Sequence, residues 1–243
     1  MTKRREPTDY SSPLFLVLAS VISVLLWVVP PDWPIQWPFG LTLGSIILYP
    51  FRIFVTFVHE AGHALTSILT QGSVDRVIVH PNASGETHTR GGVEILIASA
   101  GYLTSCGYGS LLLSLSRRGR NAEKLLFLNA LLVLAITVCF LGDLISFFLG
   151  FVLAAALFLA GMTGSAFCHL LLNILSVQCC LNAIFDLVTL LRATTILAQP
   201  HNDAMIMEQL TSIPAPAWAI SWTLASLLLF IIGLIVYTRN GRR

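Results

Sequence analysis

Apolar stretches long enough to cross a lipid bilayer recur along almost the whole chain. A helix needs about 20 consecutive, mostly apolar residues to span the hydrocarbon core, and by that measure the sequence predicts about six or seven transmembrane helices. Only 11% of the residues are charged, whereas soluble domains average about 25%. The sequence therefore predicts an all-α polytopic membrane protein. Its net charge of +2 is too small to indicate a nucleic-acid partner.

A single integral membrane domain is expected over residues 14–238, between a polar N-terminal tail (1–13) and a basic C-terminal tail (239–243). The predicted spans cover, in order, residues 14–29, 41–69, 93–115, two helices within 125–160, then 165–191 and 218–237. A short polar hairpin is predicted over residues 71–92, because this stretch combines partial alternation with turn residues. The stretch 192–216 is predicted to be a polar loop. The charge distribution leaves the membrane orientation open.

The second of these apolar stretches contains the motif His59-Glu60-Ala61-Gly62-His63. Two histidines four residues apart lie on the same face of a helix. Both imidazoles can then bind one metal ion, and the glutamate between them can act as general base toward a metal-bound water. Ionisable side chains inside a span are costly unless they serve a site. The motif therefore predicts a Zn²⁺ site with His59 and His63 as ligands and Glu60 as the catalytic base.

A zinc hydrolase needs a third protein ligand and one open position for water. Asp186 is the preferred candidate, because an isolated aspartate deep in a predicted span is costly unless it ligates, pairs or hydrogen-bonds. Asn182 lies one helical turn before it, so the alternative is a structural carboxylate bonded to Asn182 or to the backbone. Asp143, at a predicted junction between spans, and His169 remain alternative ligands.

Three polar residues of the late span at 165–191 are further candidates for binding substrate or for orienting the metal ligands: Asn182, Asn173 and His169. Hydrogen bonding between helices is the alternative role for such residues inside a membrane.

These features resemble the site-2 protease family of intramembrane zinc metallopeptidases. More narrowly, they are similar to its compact bacterial branch, related to the sporulation factor-processing peptidases. The resemblance covers about residues 51–218 and rests on four segments: the motif at 58–64, the polar hairpin, the small-residue segment at 98–105, and Asn182 to Asp186 with the following loop that contains Asn202-Asp203-Ala204.

The resemblance implies zinc bound by His59, His63 and an aspartate, with Glu60 as the base. It implies an enzyme that hydrolyses peptide bonds in membrane-embedded or membrane-adjacent substrates. The late motif departs from the family's N-x-x-P…L-D-G pattern, because Leu187 follows Asp186 and no proline precedes it nearby. A catalytically silent membrane scaffold or binding protein with the same fold is therefore the alternative.

The partners expected from the resemblance are a membrane protein or peptide substrate, the lipid bilayer and, if activity is regulated, a regulatory membrane partner. The expected location is the bacterial cytoplasmic (inner) membrane, which the chain would cross several times.

Overall fold

The computed structural model describes residues 13–28, 43–116, 122–140, 142–196 and 202–240, with the side chains of 26–28, 43–45, 182–196 and 240 excluded. These residues form eight helices and one two-stranded hairpin. The elements, in chain order, are α1 (Pro13–Val28), α2 (Leu43–Leu69), β1 (Ser73–Val79), β2 (Gly85–Arg90), α3 (Glu94–Ser116), α4 (Ala122–Phe140), α5 (Leu144–Gly161), α6 (Ser165–Ile196), α7 (Asp203–Thr211) and α8 (Ala215–Asn240).

Four helices of the described part are long and apolar enough to cross a membrane, namely α3, α4, α5 and α8. Two shorter apolar segments, Pro13–Leu25 and Ser165–Leu181, lie in α1 and α6. Helix α2 has 27 residues, about 40 Å of helix, and it carries Arg52, His59, Glu60 and His63 within its length. The predicted helical membrane architecture is confirmed in outline, and the count of six or seven spans stays a prediction.

One predicted loop was wrong in part. The stretch 192–216 was expected to be irregular, but it contains the nine-residue helix α7. Helix α7 is too short and too polar to be recognised as a long apolar stretch. Its position in space depends on helices that are distant in sequence.

Helices α2 and α3 approach each other closely through small residues. A Cβ added to Gly62 would lie 2.8 Å from Thr104 Cβ and 2.9 Å from the Ala100 carbonyl oxygen. Any larger residue would push the helices apart. The small-residue segment at 98–105 thus brings the backbone of α3 against the histidine face of α2.

The predicted hairpin is present, and it lies along α2. Strands β1 and β2 pair antiparallel, and Val77 and Val79 are buried against the helices. Near the start of the hairpin, the Gly72 amide donates to the Ser67 carbonyl over 2.8 Å. At its turn, the Thr56 hydroxyl donates to the Ala83 carbonyl over 2.7 Å. From Ser67 to Thr56 the hairpin follows about 16 Å of α2, so it passes the turn that contains Glu60.

Asp143 begins α5 and is not part of the histidine site. Its carboxylate accepts hydrogen bonds from the Ile145 and Ser146 amides, as an N-cap does. The Ser146 hydroxyl also donates to this carboxylate, and these hydrogen bonds hold the pKa of Asp143 below its usual value. Ser146 Oγ in turn accepts from the Val79 amide over 2.8 Å. The alternative in which Asp143 ligates the metal is therefore not supported, and the residue helps to fix the hairpin turn.

Candidate metal centre

His59 and His63 lie side by side on one face of α2, with ring centroids 4.7 Å apart. Both rings direct Nε2 toward the same carboxylate oxygen, Asp203 Oδ2, at 3.1 Å and 3.5 Å respectively. The side chains are only 14%, 9% and 17% exposed. The pairing of the two histidines follows from their spacing, whereas the carboxylate is 144 positions away in the chain.

Asp203 is the first residue of α7. The side chain of Asn202 caps this helix by accepting a hydrogen bond from the Met205 amide over 2.9 Å. Ala204 and Met207, on the buried face of α7, pack in one apolar cluster with Trp222 of α8 and Ala98 of α3. This packing determines where the Asp203 carboxylate lies.

The hydrogen bonding of His63 favours a cation between the three side chains. His63 Nδ1 lies 2.6 Å from the Ile97 carbonyl oxygen. Because a carbonyl only accepts, this nitrogen carries the proton, and Nε2 of the neutral ring presents its lone pair. That lone pair faces the Asp203 carboxylate, which is also an acceptor. A proton or a metal ion between them removes this conflict, and a backbone carbonyl behind a metal-binding histidine is a common arrangement.

The donor set fits Zn²⁺. The three candidate ligand atoms, one from each of His59, His63 and Asp203, all lie within 4.8 Å of one another. Two imidazoles and one carboxylate with a fourth open position are the ligands of many catalytic zinc sites. These residues can therefore hold the metal that the sequence predicted.

Space for the His59 ring depends on a glycine of α3. A Cβ on Gly101 would lie 2.3 Å from His59 Nε2 and 2.4 Å from its Cε1. Tyr102 contacts the same ring edge to face, with centroids 4.8 Å apart, and stacks on Trp222. His59 Nδ1 is buried and has no hydrogen-bond partner within the part of the chain that the structure describes.

Glu60 lies between the histidines in sequence and points toward the hairpin. Its side chain is 4% exposed. The Thr87 hydroxyl of β2 donates to Glu60 Oε2 over 2.6 Å. Gly85, two residues earlier in β2, is so close that a Cβ there would lie 2.5 Å from Glu60 Oε1. The carboxylate is thus enclosed between α2 and β2.

In the described part of the chain the carboxylate beside both histidines is that of Asp203, whereas the sequence analysis preferred Asp186 as the third ligand. The side chains of Asp186 and Asn182 lie outside the described residues, so their predicted roles stay predictions. Asp203 is absent from the ligands predicted from the sequence because it lies in the predicted polar loop, where an aspartate needs no partner. One sequence signal pointed to it: an asparagine directly before it, which is a common helix N-cap, places Asp203 at the start of a helix.

The two other candidates in α6 are buried, and one of them has a defined structural contact. His169 is 4% exposed and Asn173 is 2% exposed. Asn173 Oδ1 accepts a hydrogen bond from the Ser116 hydroxyl over 2.9 Å. Ser116 lies fifteen residues along α3 from Gly101, about 22 Å of helix. Asn173 therefore joins α3 to α6 at the end of α3 remote from the histidines, in line with the alternative of helix–helix hydrogen bonding.

The structure combines helices able to span a membrane with a group of two histidines and one aspartate. These features define the class of protein: a helical membrane protein with a candidate metal centre. Within that class the family is clear, because the family model described as Peptidase M50B-like matches residues 17–233. The chain belongs to this family, which is a site-2 protease family. The resemblance drawn from the motifs is thereby confirmed, and the narrower likeness to the compact bacterial branch stays a prediction. No curated protein and no solved structure matches the chain.

Proposed function

We propose that this protein is an intramembrane zinc endopeptidase that hydrolyses peptide bonds of membrane-embedded or membrane-adjacent substrates. The observation that carries the proposal is the convergence of His59, His63 and Asp203 on one point, next to a buried glutamate on the same helix. Membership in a family of membrane peptidases supports the same conclusion.

His59, His63 and Asp203 would hold Zn²⁺ through His59 Nε2, His63 Nε2 and Asp203 Oδ2. When bound there, zinc supplies a Lewis acid for the scissile carbonyl and lowers the pKa of water to roughly 7. Glu60 takes a proton from the attacking water on its carboxylate and returns it to the leaving amine nitrogen. Ile97, through its carbonyl, holds the His63 ring in the orientation that directs Nε2 to the site.

The substrate is a membrane protein or peptide that must be locally extended, because the carbonyls of a helix are bonded internally. In the described part of the chain, β2 pairs only with β1, so its second edge can accept an extended segment by strand addition. Gly85 and Thr87 of β2 contact Glu60, so a segment added to β2 would lie near the proposed base. We place the protein in the bacterial cytoplasmic membrane as a multi-pass protein, with control of activity by a regulatory membrane partner.

Cleavage of a reporter membrane helix in proteoliposomes tests the proposal. Glu60→Gln keeps the size of the side chain and removes the base, so cleavage should fall by about 100-fold or more while zinc stays bound. The matched control is Glu86→Gln, because Glu86 is a glutamate of the adjacent strand β2 whose side chain is 58% exposed. This control should cleave as the unaltered protein does.

Cleavage by Glu60→Gln at the unaltered rate would remove the role given to Glu60. A zinc-bound protein that cuts no reporter helix, in a panel of helices with different sequences, would favour the silent membrane scaffold instead.

A further inference from the structure

We propose that Thr87 is a positioning residue for the Glu60 carboxylate, so that the hairpin is part of the catalytic apparatus. This inference rests on the proposed function, because it assigns a partner to the base of that reaction. The threonine lies outside the histidine motif and belongs to a different element, β2.

The contact itself is short and directional. Thr87 Oγ1 lies 2.6 Å from Glu60 Oε2 and 3.2 Å from the Glu60 carbonyl oxygen. A hydroxyl has one proton to donate, and an ionised carboxylate only accepts. The proton therefore goes to the nearer and charged acceptor, and hydrogen bonds to an ionised group are roughly twice as strong as those between neutral groups.

Thr87 is well placed to hold that orientation. Its partner across the hairpin is Val77, which is fully buried. The β-branched side chain of threonine also has few χ1 rotamers available. The hydroxyl thus comes from a rigid position, whereas the glutamate side chain has three rotatable bonds.

Gly85 completes the arrangement on the other oxygen of the carboxylate. Its Cα leaves space for Glu60 Oε1, which a Cβ would approach to 2.5 Å. One residue of β2 therefore binds the carboxylate and another makes room for it. A base that is fixed in this way keeps the orientation needed to take the proton, and removing an outer partner of a metal site typically costs 10–100-fold in activity.

The test is a set of three hairpin variants in the full-length protein in proteoliposomes, assayed with the reporter helix. Thr87→Val keeps the shape and the β-branch but removes the hydroxyl, and we expect kcat to fall by about 10–100-fold with KM and zinc content unchanged. Thr87→Ser returns the hydroxyl and should restore kcat to within about threefold.

The matched control is Thr56→Val. The Thr56 hydroxyl also ties the hairpin to α2, but it donates to the Ala83 carbonyl oxygen at 2.7 Å, with the Arg52 carbonyl oxygen at 3.0 Å, and not to Glu60. We expect its kcat to equal that of the unaltered protein. Hydrogen exchange of the hairpin amides provides a readout without catalysis, and it should show equal protection in Thr87→Val and Thr56→Val.

Two results would overturn the inference. One is unaltered kcat in Thr87→Val in a protein that Glu60→Gln inactivates, which leaves the proposed function intact. The other is an equal loss of kcat in Thr56→Val and Thr87→Val, because docking of the hairpin would then be the cause. Should Thr87→Val fail to assemble, Thr87→Ala is compared with Thr56→Ala in the same way. Failure of the proposed function has a separate signature, namely an unaltered, zinc-bound protein that cleaves no reporter helix.

Discussion

At the scale of single residues, the candidate metal centre depends on glycines, which leave space for its side chains, as much as on the candidate ligands. Gly101 faces the His59 ring, Gly85 faces the Glu60 carboxylate, and Gly62 lets α2 and α3 touch. Gly101 and Gly85 lie against residues of the H-E-x-x-H motif, and Gly62 belongs to that motif. The two histidines and the glutamate therefore fit only where the neighbouring elements carry no side chain.

Replacement of Gly101 tests this point. In Gly101→Ala the new methyl group would have to displace the His59 ring, because the Cβ would lie 2.3 Å from Nε2. We expect zinc affinity to fall by about 10–100-fold, as it does when the support of a metal ligand is removed. A competition titration with a chelator measures the change.

The control for this prediction lies on the same helix. A Cβ on Gly107 meets no atom of the described residues within 4 Å, so Gly107→Ala makes the same chemical change in α3 without a clash against them. Equal zinc affinity in the two alanine variants would show that Gly101 does not protect the His59 ring.

Residues also show where prediction from sequence stops. His59, Glu60 and His63 could be predicted because their geometry is local: four residues of helix bring the two rings together. The Asp203 carboxylate could not be placed in that way, since it reaches His59 across 144 positions. Its position depends on how α7 packs. A sequence of predicted spans and loops does not show how far apart two distant elements lie in space.

At the scale of elements, α7 is the part that completes the metal centre. Its nine residues include two buried side chains, Ala204 and Met207, and the helix packs against α3 and α8. So short a helix is not stable alone. The position of the Asp203 carboxylate therefore depends on the packing of α7 against α3 and α8.

Loss of the main apolar contact should weaken metal binding without touching a ligand. Met207 is fully buried, and a buried methionine replaced by alanine costs about 2–5 kcal/mol. We expect Met207→Ala to raise the Kd for zinc by about tenfold or more, since each 1.4 kcal/mol of lost docking energy corresponds to that factor.

Leu210→Ala is the comparison, because Leu210 is on the same helix but is 41% exposed. Its Kd for zinc, measured by the same chelator competition, should match that of the unaltered protein. If Met207→Ala also binds zinc with the unaltered Kd, the apolar face of α7 does not determine the position of this helix.

The elements were predictable to different degrees for physical reasons. The long helices and the hairpin follow from local patterns, namely runs of apolar residues and a turn between alternating strands. Helix α7 has neither pattern, because its sequence mixes charged, polar and apolar residues within nine positions. Only its packing on α3 and α8 shows which side is buried.

At the scale of the whole molecule, the candidate metal centre joins parts of the chain that are distant in sequence. Helix α2 supplies the two histidines and Glu60, α3 supplies the carbonyl that contacts His63, and α7 supplies the Asp203 carboxylate. The hairpin closes the site from the side of Glu60. Polar groups at membrane depth need such enclosure, because the hydrocarbon region offers them no hydrogen-bond partners.

The most direct test of this account is the zinc content of the purified protein in three forms: unaltered, Asp203→Asn and Asp186→Asn. Both substitutions remove one carboxylate and keep the side-chain size. If His59, His63 and Asp203 hold the metal, the unaltered protein and Asp186→Asn each contain about one zinc per chain, and Asp203→Asn contains almost none. Full zinc content in Asp203→Asn, with loss in Asp186→Asn, would contradict the metal centre described above.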